Sequence, residues 1–429
     1  MRISVLTIAG RELASLEAES TWTKEVLCAR IAGPLHERSD GARLLHGESE
    51  LAGPKTLGAI GVCEGSQLLL VLSHPGYIAT ASFDGTARLW RADTGECLRV
   101  LRGHSDPVVS LAVSPDGAHV LTASCSYTAK LWSSGTGACV RTFEGHSSVV
   151  VAAAFSPDGS LVLTAAGDDT ARLWSVASGN CVHTLEGHTC LVNTAAFSPH
   201  GASVLTASDD RTAKLWCTNT GACLHTLREG HDDEVTAAVY SPDGSQVLTA
   251  SAAGIAKLWD TRSGKGLRVF RGHSGAIASA SFSSDGARVL TASSDGTARI
   301  WCVRSGQCFR KLGAESCDAL LSAAFSPDGT RVVTATLQGR ACIWDCELGE
   351  RLRTLVGHEA PVTTAVFSPD GAKVLTASED GSAKLWDTAS GTSAASLDGH
   401  DAALTCAAFS PEGPRLLARA AAALGCGVK

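Results

Sequence analysis

The sequence predicts an all-β propeller, a ring of four-stranded antiparallel sheets, preceded by a small α+β domain. Three observations predict it. A tryptophan recurs at Trp90, Trp132, Trp174, Trp216, Trp259, Trp301, Trp344 and Trp386, each 42 or 43 residues after the last. Each copy carries Pro/Asp/Gly turns at fixed offsets, with short apolar runs between them. Gly-His opens most copies and Trp-Asp closes several. A period of about 40–45 residues with these two signatures marks blades of four strands.

Residues 357–387, GHEAPVTTAVFSPDGAKVLTASEDGSAKLWD, show how one copy works. An apolar run through Val362, Val366 and Phe367 ends at Ser368-Pro369-Asp370-Gly371. A second run, 374–377, ends at Glu379-Asp380-Gly381, and a third closes on Leu385-Trp386-Asp387. Three short runs separated by such turns read as an antiparallel meander. Cys97-Leu98-Arg99-Val100-Leu101, before Gly103-His104, supplies the fourth strand in another copy. With eight copies in phase, the chain resembles the WD-repeat family over roughly residues 77–411.

Residues 1–72 are a different object. Residues 1–8 alternate as a strand, Gly10-Arg11 turns the chain, and 13–18 return as a hairpin partner. Thr21 or Thr23 can cap a helix carrying Trp22, Val26, Leu27 and Ile31 at helical spacings. ARLLHG at 42–47, a shoulder at Leu51, KTLGAIGV at 55–62 and a last strand at 67–72 follow. This ββαββ order, with those signatures, resembles a ubiquitin-like (β-grasp) domain. The resemblance implies a recognition patch on Ile8, Leu45 and Val71, open to ubiquitin-binding proteins. The alternative is an unrelated small α+β domain in which the three residues only cover a core. Residues 73–76 run straight into Tyr77 with no free Gly-Gly terminus, so the expectation is a fixed docking module that is not conjugated.

The first repeat is incomplete. Residues 77–82, 86–90 and 97–101 supply second, third and fourth strands, and the first is missing. Seven full repeats follow. At the far end Gly399-His400 opens another, with 404–409 as a first strand, and the pattern then decays into an irregular tail over 412–429. The fragments are complementary, and pairing 404–409 with 77–101 closes the ring at eight blades. Closure matters because an open ring would expose sheet edges. Seven blades with leftover pieces is the alternative.

A net charge of −7 without a long basic run argues against a nucleic-acid footprint. The start lacks a signal peptide's apolar core, and no apolar run reaches the length of a membrane span. The expectation is a soluble cytoplasmic protein, with the nucleus as a second location. Of 16 cysteines, Cys97, Cys139, Cys181, Cys223 and Cys308 share one repeat position, read as a small buried packing residue with a reduced thiol. No CxxC pair or Cys/His ligand spacing appears, so no zinc site and no cofactor are expected.

A histidine, a serine or threonine, an aspartate and a tryptophan recur within the repeats. The complete sets are His358, Ser378, Asp380 and Trp386; His188, Ser208, Asp210 and Trp216; His273, Ser293, Asp295 and Trp301. Ring closure would add His400 to Ser82, Asp84 and Trp90. A Ser/His/Asp triad is needed once, in one cleft, so repetition at blade spacing favours a structural role. The family resemblance implies a hydrogen-bonded chain from aspartate to histidine to serine to the indole. Several copies break it. Ser126 and Ala253 replace aspartate, Ala166 replaces serine, and Ala314, Glu315 and Gln338 stand in the copy ending at Trp344.

Small residues crowd the first strands, as in Ala152-Ala153-Ala154, where neighbours on both sides would make burial continuous. Leu258-Trp259-Asp260-Thr261-Arg262 resembles the Trp-Asp-x-Arg box of WD-repeat receptors that dock on a cullin–RING ligase adaptor. Trp259, Asp260 and Arg262 are therefore candidate docking residues, although Asp-x-Arg is also ordinary turn chemistry. The expected function is a non-enzymatic scaffold binding other proteins, and the alternative is a substrate receptor of such a ligase.

Overall fold

The computed structural model describes residues 2–6, 12–17, 19, 22, 42–46, 49–50, 67–72, 76–228, 231–313 and 318–411, the strands before residue 73 by their backbone alone. The chain divides into two compact units, and the larger is Tyr77–Pro411.

The smaller unit holds a five-stranded sheet. In chain order its strands are Arg2–Leu6, Glu12–Glu17, Ala42–His46, Ser49–Glu50 and Gln67–Leu72. Across the sheet they lie second, first, fifth, third, fourth. The first and fifth run parallel, with Val5 opposite Leu68, and their outer neighbours pair antiparallel. The expected helix around 21–31, Leu51, Ile8 and the tail 412–429 lie outside the described residues.

The larger unit is eight sheets of four strands each. Blade 1 takes its first strand, Leu404–Phe409, from the far end of the chain and pairs it with Tyr77–Ser82, followed by Ala87–Arg91 and Cys97–Leu101. Blades 2 to 8 follow as uninterrupted meanders, opening with Val108–Val113, Val150–Phe155, Val192–Phe197, Val235–Tyr240, Ile277–Phe282, Leu320–Phe325 and Val362–Phe367. The ring therefore closes at eight, and the seven-blade alternative is set aside. Ser410 Oγ also accepts the Tyr77 N–H at 2.9 Å across the seam.

Each core lies between two blades. Tyr77, Ala79, Leu89 and Leu101 of blade 1 pack with Val120 and Trp132 of blade 2. Ile78 and Trp90 of blade 1 pack instead with Leu375, Leu385 and Leu397 of blade 8. Adjacent residues of one second strand thus serve opposite cores, because side chains alternate across a strand. Burial is most continuous in these second strands, as in Lys373–Ser378, and not in the alanine-rich first strands, which are half-buried. First strands of neighbouring blades touch through side chains. Thr405 Oγ1 donates to Val108 O at 3.0 Å, and Thr236 Oγ1 to Ile277 O at 2.6 Å.

Two glycines show why the turns repeat. Gly371 closes the Ser-Pro-Asp-Gly turn at φ 72°, where an L side chain is strained. Gly357 of Gly-His has φ 155°, and a Cβ there would meet Trp386 Cη2 at 3.3 Å.

The rim cysteines correct the sequence reading. Cys97, Cys139, Cys181, Cys223 and Cys308 are all exposed. They open the outermost strand of each blade, ahead of the residue that reaches the core, such as Leu101 or Phe143. Their thiols donate along the strand to the carbonyl two residues on, as Cys139 Sγ does to Arg141 O at 3.3 Å.

Candidate functional site

The recurring polar residues form one internal chain per blade, and its hydroxyl is a threonine. In blade 4 the Trp216 indole N–H donates to Thr206 Oγ1 at 2.9 Å, and Thr206 meets His188 Nε2 at 2.8 Å. His188 Nδ1 lies 2.7 Å from Asp210 Oδ2. Blade 6 repeats this with Trp301, Thr291, His273 and Asp295, and blade 8 with Trp386, Thr376, His358 and Asp380. The bonding assigns the tautomer. Nδ1–H donates to the carboxylate, and Nε2 accepts the threonine hydroxyl.

Ser208, Ser293, Ser378 and Ser82 are therefore not members of the chain. Trp386 lies opposite Val374, and Thr376 is the diagonal neighbour on the same side, within reach of the indole. Ser378 sits two residues further, at the strand's end, where the turn occupies it. Its Oγ donates to Ala360 O at 3.0 Å and accepts the Asp380 N–H at 3.1 Å.

Blade 1 assembles its chain across the seam. His400 Nδ1 lies 2.8 Å from Asp84 Oδ2, and His400 Nε2 lies 2.8 Å from Thr80 Oγ1, which accepts the Trp90 N–H. Blade 3 is complete as well, through His146, Asp168, Thr164 and Trp174. Ala166 stands at the turn position, so it breaks nothing.

Three blades do lack a member. Ser126 Oγ reaches His104 Nδ1 only at 3.5 Å. In blade 5, Ala253 leaves His231 Nδ1 buried with no partner among the described residues. In blade 7 the Thr334–Trp344 bond persists at 2.9 Å beside Gln338, while Ala314 and Glu315 lie outside the described residues. Trp344 is the one indole of the eight that is half-buried instead of buried.

Electrostatics follow from these partners. Burial pushes His104 and His231 down to about 4, helped by Lys130 and Lys257 respectively. Where an aspartate is present, burial still lowers the histidine, partly opposed by the carboxylate. Burial by itself would raise Asp84 and Asp295, but hydroxyl bonds from Thr86 and Thr297, with the histidine bonds, outweigh it and hold both down to about 2. Neutral imidazole beside ionised carboxylate suits a fixed structural link. No hydroxyl in the set is left free to act as a nucleophile.

The chains also define the two faces of the ring. Histidine loops and the turns after each second strand share one face, since His400 meets Asp84 there. The turns after first and third strands share the other, where Ser134 N donates to Ala118 O. On the histidine face Phe83, Tyr127 and Leu337 are about half exposed, at 50%, 48% and 46%. Tyr127, Asp169 and Arg211 have φ of 65°, 65° and 67° at a turn position that is glycine in the other five blades. Non-glycine residues rarely adopt that conformation.

Of the other candidates, Trp259 is 2% exposed and donates to Thr249 Oγ1, so it is unavailable for docking. Asp260 Oδ1 is occupied by the Ser263 N–H and hydroxyl at 2.7 and 2.6 Å. Arg262 is exposed on the face opposite the histidines, and its carbonyl accepts from His225 Nε2 at 2.9 Å. Leu45 and Val71 lie on adjacent strands of the small sheet. Among the described residues no cluster of His, Cys, Asp and Glu has the geometry of a metal site, and no helix is long and apolar enough to cross a membrane.

Comparison with known proteins gives the same periodicity. The family profile described as WD domain, G-beta repeat matches residues 95–133, 137–175, 179–217, 221–260, 264–302, 306–345, 349–387 and 391–422. The F-box-like/WD repeat-containing protein TBL1X of Mus musculus is 50% identical over 42 residues, 10% of this chain and 8% of that protein. The WD repeat-containing protein pop1 of Schizosaccharomyces pombe is 55% identical over 38 residues, 9% of this chain and 5% of that protein. Each match therefore takes in about one repeat and a small fraction of the relative. The crystal structure of the computationally designed Ika8 protein superposes with a TM-score of 0.65 at 30% identity, covering 73% of this chain and 97% of that one.

Proposed function

Because this chain belongs to the WD-domain, G-beta repeat family, we propose that it is a non-enzymatic scaffold whose eight-bladed ring binds other proteins. The observation that carries this reading is the contrast between the ring's interior and its turn tips. In the blades that hold the full set, histidine, threonine and aspartate are consumed in bonds to one another and to a buried indole. Outside lie exposed Phe83, Tyr127 and Leu337, of which the two aromatics are of the kind enriched at protein interfaces. Affinity capture compares the full-length protein with residues 73–429. Partners retained by both belong to the ring, those lost belong to the first 72 residues, and a ring that retains none contradicts the reading.

The N-terminal unit serves, in this proposal, as a ubiquitin-like docking module. Its strand order, with a parallel central pair, supports that assignment. Titration of wild type and Leu45→Ala with ubiquitin-binding helices tests it, and equal binding by the two would leave the unit a structural cap. A second reading, receptor of a cullin–RING ligase, is favoured by the exposed Arg262 and by the F-box-like relative, whose match is confined to 42 residues. Arg262→Ala should then abolish adaptor co-purification without changing thermal unfolding. We place the protein in the cytoplasm, with the nucleus as the second location, because exposed thiols on five blades suit a reducing compartment.

A further inference from the structure

We propose that the outer rim of blades 5 and 6 docks an extended acidic peptide segment whose apolar residues alternate with its acids. The chain as a whole carries 43 acids against 36 bases, yet residues 255–312 hold ten Lys and Arg against three Asp. Of these, Arg262, Lys265, Arg268, Arg271, Arg304 and Lys311 are exposed, and no described carboxylate lies within 4 Å of them. Arg268 Nη2 donates to the Arg304 backbone carbonyl at 3.1 Å, which ties the two basic segments together across the blade junction. Unscreened like charges repel, so an anion laid across them is favoured.

The strand between them selects the kind of anion. In Gly266–Arg271, the fourth strand of blade 5, every residue except Phe270 is exposed. Leu267 and Val269 are 36% and 46% exposed, and a bulge at Leu267, between the Leu258–Arg268 and Trp259–Gly266 pairs, turns it out of the regular alternation. Lys265 precedes them and Arg271 follows, about 20 Å away at roughly 3.3 Å per residue. A peptide placing acids over the two ends and apolar side chains between them would neutralise the charges and cover the apolar pair together. A nucleic-acid backbone would leave Leu267 and Val269 in water. Two of the guanidinium forks that would suit phosphate are also committed. Arg268 donates to Leu267 O and Arg304 O, and Arg310 to Phe309 O and Glu347 O. The bond from Arg268 to Leu267 O occupies an edge carbonyl, so docking runs through side chains and not through strand addition.

The inference deepens the scaffold reading by naming a partner chemistry and one place on the ring. Fluorescence anisotropy of the full-length protein with a labelled twelve-residue peptide alternating Glu with Leu or Val tests it. A Glu/Ser peptide and a twelve-nucleotide uridine RNA are the controls. The alternating peptide should bind at least tenfold more tightly than either. The Lys265→Glu/Arg271→Glu variant should weaken it at least tenfold, and Arg211→Glu on the histidine face should leave it unchanged. Arg304→Glu/Lys311→Glu is a second pair should the first unfold. RNA binding as tight as the peptide, equal binding by both peptides, or retention by both charge-reversed pairs overturns the proposal. Arg262 stays native throughout, so failure leaves the adaptor reading untouched. Partners captured equally by wild type and these variants would keep the scaffold and remove the rim.

Discussion

Thr206 holds two bonds at once, accepting from Trp216 and meeting His188, while Ser208 two residues on serves only its turn. Thr206→Val keeps the shape and leaves two buried groups unpaired, so it should cost about 1–3 kcal/mol, against about 0.5–1.5 kcal/mol for Ser208→Ala. Equal losses in urea unfolding would contradict the assignment. The sequence does contain the signal that separates the two. Thr-Ala recurs at this point in all eight copies, whereas the serine gives way to Ala166 and Thr336. What a string of letters hides is reach, because Thr376 and Ser378 share a strand side and only pairing geometry says which one meets the indole. Blades 2 and 5, which lack the aspartate, predict pH behaviour. His104 and His231 are held at about 4 when folded, against an ordinary 6.5. Above about 6.5 these imidazoles are neutral in both states and their contribution is whole. As pH falls from 6.5 toward 4 the unfolded chain binds protons that the folded blades exclude, and stability declines. Asp84 and Asp295, held at about 2, add a further loss as pH falls below about 4. A urea midpoint unchanged between pH 7 and pH 4.5 would contradict the histidine part. Ala253→Asp should give His231 the missing partner, raise its pKa and shrink that loss, which NMR titration of the imidazole checks.

At the level of strands, a clasp repeats around the rim. The third residue of a fourth strand, arginine or histidine, donates to a carbonyl in the next blade's turn after its third strand. Arg99 reaches Gly135 O at 3.0 Å, His183 Asn219 O at 2.9 Å, and Arg353 Ala389 O at 2.9 Å. Seven of the eight junctions are bridged this way. The eighth, from blade 8 to blade 1, has Ala395 instead, packed against Gly95, and Lys373 Nζ donates to Ala92 O there at 3.1 Å. Ala395→Arg should reach Asp93 O and stabilise the ring by about 0.5–1.5 kcal/mol, and Arg353→Ala should destabilise it by a similar amount. A lower thermal midpoint for Ala395→Arg would show that the seam cannot take the clasp. Strand identity at this level was legible from turn chemistry alone, since Ser-Pro-Asp-Gly and Asp-Gly fix both ends of the second strand. Which strand faces water was not. A cysteine at the start of an outer strand looks like a core residue by hydropathy, and only its place ahead of Leu101 or Phe143 exposes it.

Eight blades were legible at the scale of the ring because the two chain ends lack opposite parts. The histidine of blade 1 is missing near residue 77 and present at His400, and the ring brings it to Asp84 and Thr80, 316 and 320 residues away in sequence. The charge contrast between blades 5–6 and the rest of the chain is spread over two repeats with no basic run, so it emerges only once the rim is drawn. Closure also makes the molecule's stability indivisible in a way that an open array's is not. In an open array each repeat contacts only its neighbours, and removing an end frays that end. Here Leu404–Phe409 pairs with Tyr77–Ser82, Leu404 and Ala407 join the core shared with blade 8, and Thr405 bonds to blade 2. Deleting residues 399–429 removes all three links and exposes the edge of Tyr77–Ser82. Loss should then spread around the ring, and amide exchange should rise in Val192–Phe197 and Val235–Tyr240, on blades far from the cut. Full protection in blades 4 and 5, with exchange confined to blades 8, 1 and 2, would mean that the blades stand as independent neighbours and that closure adds only its own bonds.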